Sequence, residues 1–85
     1  MSEEKLIGKI THYFGKISVG VVELTGDELK VGDKIHIKGS STDLEQIVDS
    51  LQIDKQSVDK IGVGESAGLK VDGPVKENDE VYLVT

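Results

Sequence analysis

Two histidines, sixteen carboxylates and ten lysines are the side chains of this 85-residue chain that could move protons, hold a metal or bind an anion. Their spacing argues against most of that chemistry. His12 and His36 stand far apart, with no H-E-x-x-H or other paired arrangement, so solvent-facing strand histidines are expected rather than zinc ligands. The densest acidic run, Glu77-Asn78-Asp79-Glu80, lacks the alternating ligands of a calcium loop and reads as a solvated turn. Gly15-Lys16 is followed by Ile17, without the upstream glycine or the Ser/Thr of a phosphate loop, so nucleotide hydrolysis is not expected. No serine sits in a G-x-S-x-G elbow. The absence of cysteine removes a thiol nucleophile, a disulfide framework and thiolate metal ligation. These residues predict a chain that is not an enzyme and needs no cofactor.

What remains is surface. Lys34, His36 and Lys38 alternate with Ile35 and Ile37, which puts three basic side chains on the outer face of a strand and two isoleucines on the inner face. Lys9 and Lys16 bracket His12 and Tyr13. If these strands adjoin, they form a basic-aromatic patch able to attract phosphate locally; the plainer reading is that outward lysines protect sheet edges. The rest of the chain opposes a polyanion. Its net charge is -6 and it has no arginine, so the long-range field repels nucleic acid and the bidentate reader of phosphate and guanine is missing. DNA is not expected, and RNA only through the lysines.

Turn signals every 8 to 12 residues, at Gly15, Thr25-Gly26-Asp27, Val31-Gly32-Asp33, Gly39-Ser40-Ser41, Gly62, Gly64 and Asp72-Gly73-Pro74, predict the elements that carry these groups. They punctuate β-branched runs at 6–14, 17–24, 34–38 and 81–84, the pattern of a small all-β sandwich or barrel. The length suits one domain over 1–85, with a short tail over 1–5. One segment is ambiguous. Leu44, Ile47, Val48 and Leu51 fall at i, i+3, i+4 and i+7, a helical stripe, while a strand reading alternates poorly. No apolar run nears the ~20 residues of a membrane helix, and the acidic MSEEK start carries no signal peptide. A cytoplasmic protein is the simplest expectation.

The stretch Gly64-Glu65-Ser66-Ala67-Gly68-Leu69-Lys70-Val71-Asp72-Gly73 resembles the strand and turn G-[DE]-x-[AV]-G-[LV]-x-[LV]-x-G in the second domain of translational GTPases of the elongation factor Tu and 1-alpha type. Gly64 would supply a left-handed turn into the strand and Gly68 a bend or close backbone approach. Gly20 to Glu23, Leu29 to Ile37, Val48 to Ile53 and Lys76 to Tyr82 are similar to further strands of that domain, in the same order, and together cover about residues 6–84. The resemblance implies an antiparallel β-barrel, closed or partly open, of about six to eight strands, with a strand over 47–53 and an irregular turn at 40–45. It also implies a stand-alone binding module that contacts a protein partner or a translation-related assembly, or alternatively RNA. Two family positions near transfer RNA fall on Gln52 and Lys55, where this chain departs from the family's glutamate and arginine. There is no GTPase domain, so no GTP binding is expected of this chain. Similar barrels are appended to collagenase-like peptidases and RNA-modification proteins as accessory modules.

Overall fold

β-branched runs broken by glycine and aspartate turns leave the backbone one economical way to pair, and the chain takes it throughout. A computed structural model describes residues 3–85. These form ten strands: β1 (Glu4–Phe14), β2 (Val19–Leu24), β3 (Leu29–Lys30), β4 (Lys34–Lys38), β5 (Asp43–Ile47), β6 (Leu51–Ile53), β7 (Gln56–Val58), β8 (Lys60–Ile61), β9 (Ser66–Lys70) and β10 (Glu80–Val84). Eight make one antiparallel sheet in the order β5-β4-β10-β1-β2-β9-β6-β7, and β3 and β8 pair separately. The molecule is a small, partly open antiparallel β-barrel. No helix of the described residues is long and apolar enough to cross a membrane.

Ile7, Ile10, Val22, Leu24, Ile35, Ile37, Leu69 and Val81 fill the interior with 0–1% of their surface exposed. Each contributes roughly 1.5–3 kcal/mol by leaving water. The long β1 serves two neighbours because its register slips once against β10, between Leu6 and Gly8, and once against β2, between Ile10 and His12. Such irregularities increase twist and let the sheet curl.

A side chain closes the barrel. Gln46 faces inward from the edge strand β5; its Nε2 donates to the Lys70 carbonyl at the end of β9, and its Oε1 accepts the Asp72 amide, each at 2.8 Å. In the sheet order these two strands flank β4, β10, β1 and β2. The glutamine amide therefore substitutes for the backbone ladder across the seam.

Several expectations are corrected. The helical stripe over 44–51 is absent: β5 ends at Ile47, which points outward at 48% exposure, while Val48 is buried. Val48 is held by the turn before β4, donating to the Asp33 carbonyl and accepting from the Gly32 amide. The strand implied over 47–53 breaks there, so only Leu51–Ile53 of it is β6. Of the irregular turn implied at 40–45, residues 40–42 are irregular and 43–45 belong to strand β5. The first strand begins at Glu4, within the stretch expected as a tail, and residues 1 and 2 lie outside the described ones. Ile17 sits in the turn before β2, not in the strand.

The glycines of the 64–73 stretch divide by cause. Gly64 has φ +89° and donates to the Leu24 carbonyl, turning the chain into β9. Gly68 has no such backbone requirement. It lies mid-strand between Val21 and Gln52, where an added Cβ would press on the Val19 side chain at 3.2 Å.

Candidate functional site

Antiparallel pairing of β5, β4, β10 and β1 sorts their outward residues into rows. Asp43, Lys38, Glu80 and Lys9 oppose one another in sequence across the four strands, and Glu45, His36, Tyr82 and Leu6 form the next row. The first row alternates in sign, and opposite charges placed directly across a sheet stabilise it. The basic stripe expected on β4 is thus interleaved with acids contributed by β5 and β10.

His36 is the centre of this face. It is only 9% exposed, which corrects the expectation of a solvent-facing strand histidine. Its Nδ1 donates to Glu4 Oε2 at 2.6 Å and its Nε2 donates to Asp43 Oδ1. Lys38 Nζ reaches the other Glu4 oxygen at 2.5 Å and lies 4.9 Å from the centre of the Tyr82 ring. A carboxylate on each nitrogen favours the imidazolium form of the ring. Asp43, then Glu4, raise the His36 pKa above its ordinary 6.5, against the opposing effect of burial. Lys38 and next His36 hold the Glu4 carboxyl below its usual range. Burial, followed by Glu80, raises the Tyr82 phenol. An imidazolium with both nitrogens engaged has no lone pair to accept a proton, so this cluster is a clamp between β1, β4 and β5 rather than a general base.

The sign of its pH dependence follows. A raised histidine pKa means the stabilisation is complete below 6.5 and is lost as pH rises through the folded value. The depressed Glu4 contributes above 4.5 and loses its contribution as pH falls through its folded value. Urea midpoints should therefore be highest between about pH 5 and 6 and decline on the alkaline side. In His36→Gln that alkaline decline should flatten; a variant whose midpoint still falls as steeply above neutrality would assign the effect to another group.

A trough of about 590 Å³ runs beside the clamp on the same face. Leu6 and Tyr82 line it, Lys9 and Lys38 flank it, and Ser40 and Asn78 stand at the end formed by two turns. Asp79 joins those turns. It is 5% exposed, its carboxylate accepts the Lys76 amide at 2.8 Å, and it packs so closely on Gly39 that a Cβ there would collide with it. The run 77–80, expected as a solvated turn, is corrected at this residue.

The remaining predicted positions lie elsewhere. His12 is exposed, with its ring centroid 4.8 Å from that of Phe14 and Nδ1 3.7 Å from Glu77. Tyr13 turns to the opposite side and packs on the core. Lys16 is in the β1–β2 turn, and Lys34 pairs with Glu45 at 3.5 Å. Gln52 is exposed on β6, and Lys55, at φ +66°, follows Asp54, at φ +51°, in the tight turn to β7. That turn is on the far flank, with β2 and β9 between it and β1. Glu4, Leu6, Asp43 and Tyr82 are not marked as site residues by the sequence, and Asp79 is marked there only as part of a solvated turn. Their signal is tertiary, since Glu4 and His36 are 32 positions apart.

No protein-family model matches the chain. An uncharacterised protease of Methanocaldococcus jannaschii is 40% identical over 79 residues, covering 92% of this chain and 19% of that protein. A Porphyromonas gingivalis collagenase is 30% identical over 81 residues, 94% of this chain and 22% of the collagenase. The likeness is to peptidases. The chain spans about a fifth of the length of these relatives. Among solved structures, the C-terminal domain of a U32-type peptidase from Geobacillus thermoleovorans superimposes with a TM-score of 0.85 at 13% identity, over 93% of this chain and 91% of that domain. GDP-bound aIF5B of Aeropyrum pernix gives 0.63 at 15% identity, over 93% of this chain and 15% of that one.

These findings correct the resemblance to the second domain of translational GTPases. A barrel of this kind is shared more widely than any one function, and short glycine-punctuated strand motifs report barrel geometry rather than descent. The sequence relatives carry the names protease and collagenase, which corrects the reading as a translation-related module and the expectation of a chain that is not an enzyme.

Proposed function

We propose that this chain is the β-barrel domain of a U32-type peptidase system and serves proteolysis by holding polypeptide substrate for a catalytic region. The observation that carries this reading is the 40% identity over 92% of the chain to a segment making up 19% of a named protease. The structural likeness to a peptidase C-terminal domain over nearly its whole length supports the same architecture. The chemistry agrees. The outer-face imidazolium is locked between carboxylates, while the neighbouring trough is open to an extended chain. Binding energy gathered away from the reacting bond lowers KM for long substrates and leaves short ones little affected.

A domain exchange tests it. Removing the matched segment from the P. gingivalis collagenase should raise KM for a protein substrate by about tenfold or more while sparing cleavage of a short chromogenic peptide, and grafting this chain in its place should restore the protein substrate. A truncated collagenase with unchanged KM for protein would reject the proposal.

A further inference from the structure

We infer that the trough between β1, β10 and β4 is the polypeptide-binding site of this domain, and that it takes an extended segment carrying a carboxylate beside an apolar side chain. The inference rests on the proposed role and adds the site and the ligand chemistry.

Three features select that ligand. The floor is apolar: Leu6 is 44% exposed although it stands mid-strand beside the Tyr82 ring, and nothing among the described residues covers it. An exposed leucine next to an aromatic ring offers a place for one side chain of matching character. Two lysines stand on the flanks. Lysine ion pairs among the described residues involve Lys5, Lys34, Lys38 and Lys60, which leaves Lys9 to face the trough without a salt bridge. Lys9 stands across the trough from Lys38, and the intervening Glu80 accepts the Tyr82 hydroxyl at 3.2 Å. With Lys38 engaged by Glu4, Lys9 is the trough lysine that has no salt bridge among the described residues and that an anion can reach from solvent.

The third feature is a built wall. The buried Asp79 packs the turn before β10, which carries Asn78, against Gly39 of the β4–β5 turn, which carries Ser40, at the end of the trough. Hydroxyl and amide groups on a fixed wall suit the polar backbone of an extended peptide. The His36 clamp supports the floor from the same row, because Lys38 is shared between Glu4 and the face of Tyr82.

The experiment is a titration of the isotope-labelled chain with a blocked hexapeptide that has leucine and glutamate at its centre, followed by amide NMR at low salt. Saturable shifts should centre on Leu6, Lys9, Lys38 and Tyr82. Changing the peptide's glutamate to glutamine should weaken binding by about fivefold, and Lys9→Glu in the protein by about tenfold, with the difference shrinking as salt is added. Leu6→Ser should weaken it by about fivefold without lowering the melting temperature, since Leu6 is not part of the core. The absence of saturable shifts, shifts centred on the exposed Phe14 and Ile17, or full affinity in both variants would overturn the assignment. The two proposals can fail separately. If a graft of the Lys9→Glu, Leu6→Ser chain rescued the truncated collagenase as well as the parent chain does, the trough would be wrong and the domain role right. If no graft rescued it, the domain role itself would fall.

Discussion

Replacing Gln46 with leucine is expected to lower the stability of this chain by about 2–4 kcal/mol. The side chain keeps its size and inward direction, but both hydrogen bonds across the seam disappear. The Lys70 carbonyl and the Asp72 amide, each paired with Gln46 at 2.8 Å, would be left without that partner at a closed joint. Leaving buried polar groups unpaired costs more than the net value of the bonds themselves. Every buried side-chain nitrogen and oxygen among the described residues has a partner, so no unpaired buried side chain is at hand to replace the glutamine. For a domain of this size the change corresponds to a fall of roughly 10–20 °C in melting temperature. Gln46→Glu is a sharper control: a carboxylate can still accept the Asp72 amide but cannot donate to Lys70, and burial penalises its charge. Exchange of the Asp72 amide should accelerate in Gln46→Leu more than that of core amides in β1. A loss under about 1 kcal/mol would mean that the flanks of the barrel hold together without the glutamine.

The second large effect is expected at Gly8. An alanine Cβ there would run into the Glu23 carbonyl group and approach the Leu24 Cα at 3.2 Å, all of it backbone of the paired strand β2. No rotamer change relieves a clash with main chain, so β1 and β2 must separate where β1 also shifts register against β10. Overpacking of this kind costs about 2–3 kcal/mol. Gly15→Ala provides the comparison, because its Cβ would meet only the Tyr13 ring at 3.5 Å, an ordinary contact, and should leave stability within about 0.5 kcal/mol. Equal denaturation midpoints for the two variants would show that β1 and β2 can part without loss.

Both predictions concern how distant strands meet, and that is also where reading the chain alone stopped short. Period-two alternation in Lys34 to Lys38 and the turn chemistry around Gly15, Gly32, Gly64 and Gly73 are local signals, and they placed β1, β2, β4 and β10 to within a few residues. The stripe over 44–51 is equally local, and the helix it offers as one alternative does not form. Leu44, Ile47, Val48 and Leu51 have helical spacing, yet Val48 is buried through its bonds to Gly32 and Asp33, a contact that no window on the sequence contains. The same limit explains His36. Its neighbours in the chain are isoleucine and isoleucine, and the carboxylates that hold it come from β1 and β5.

By itself the sequence determined an all-β chain with inward isoleucines, an acidic overall charge, and no cysteine or arginine chemistry, because periodicity, composition and turn residues act within a few positions. Only the tertiary structure decided that the lysines share their face with acids, that Asp79 is a buried brace, that a glutamine closes the barrel and that Leu6 and Tyr82 line an open trough. Each of those depends on which strands become neighbours, and that is set by the burial of the whole core at once rather than by any one segment.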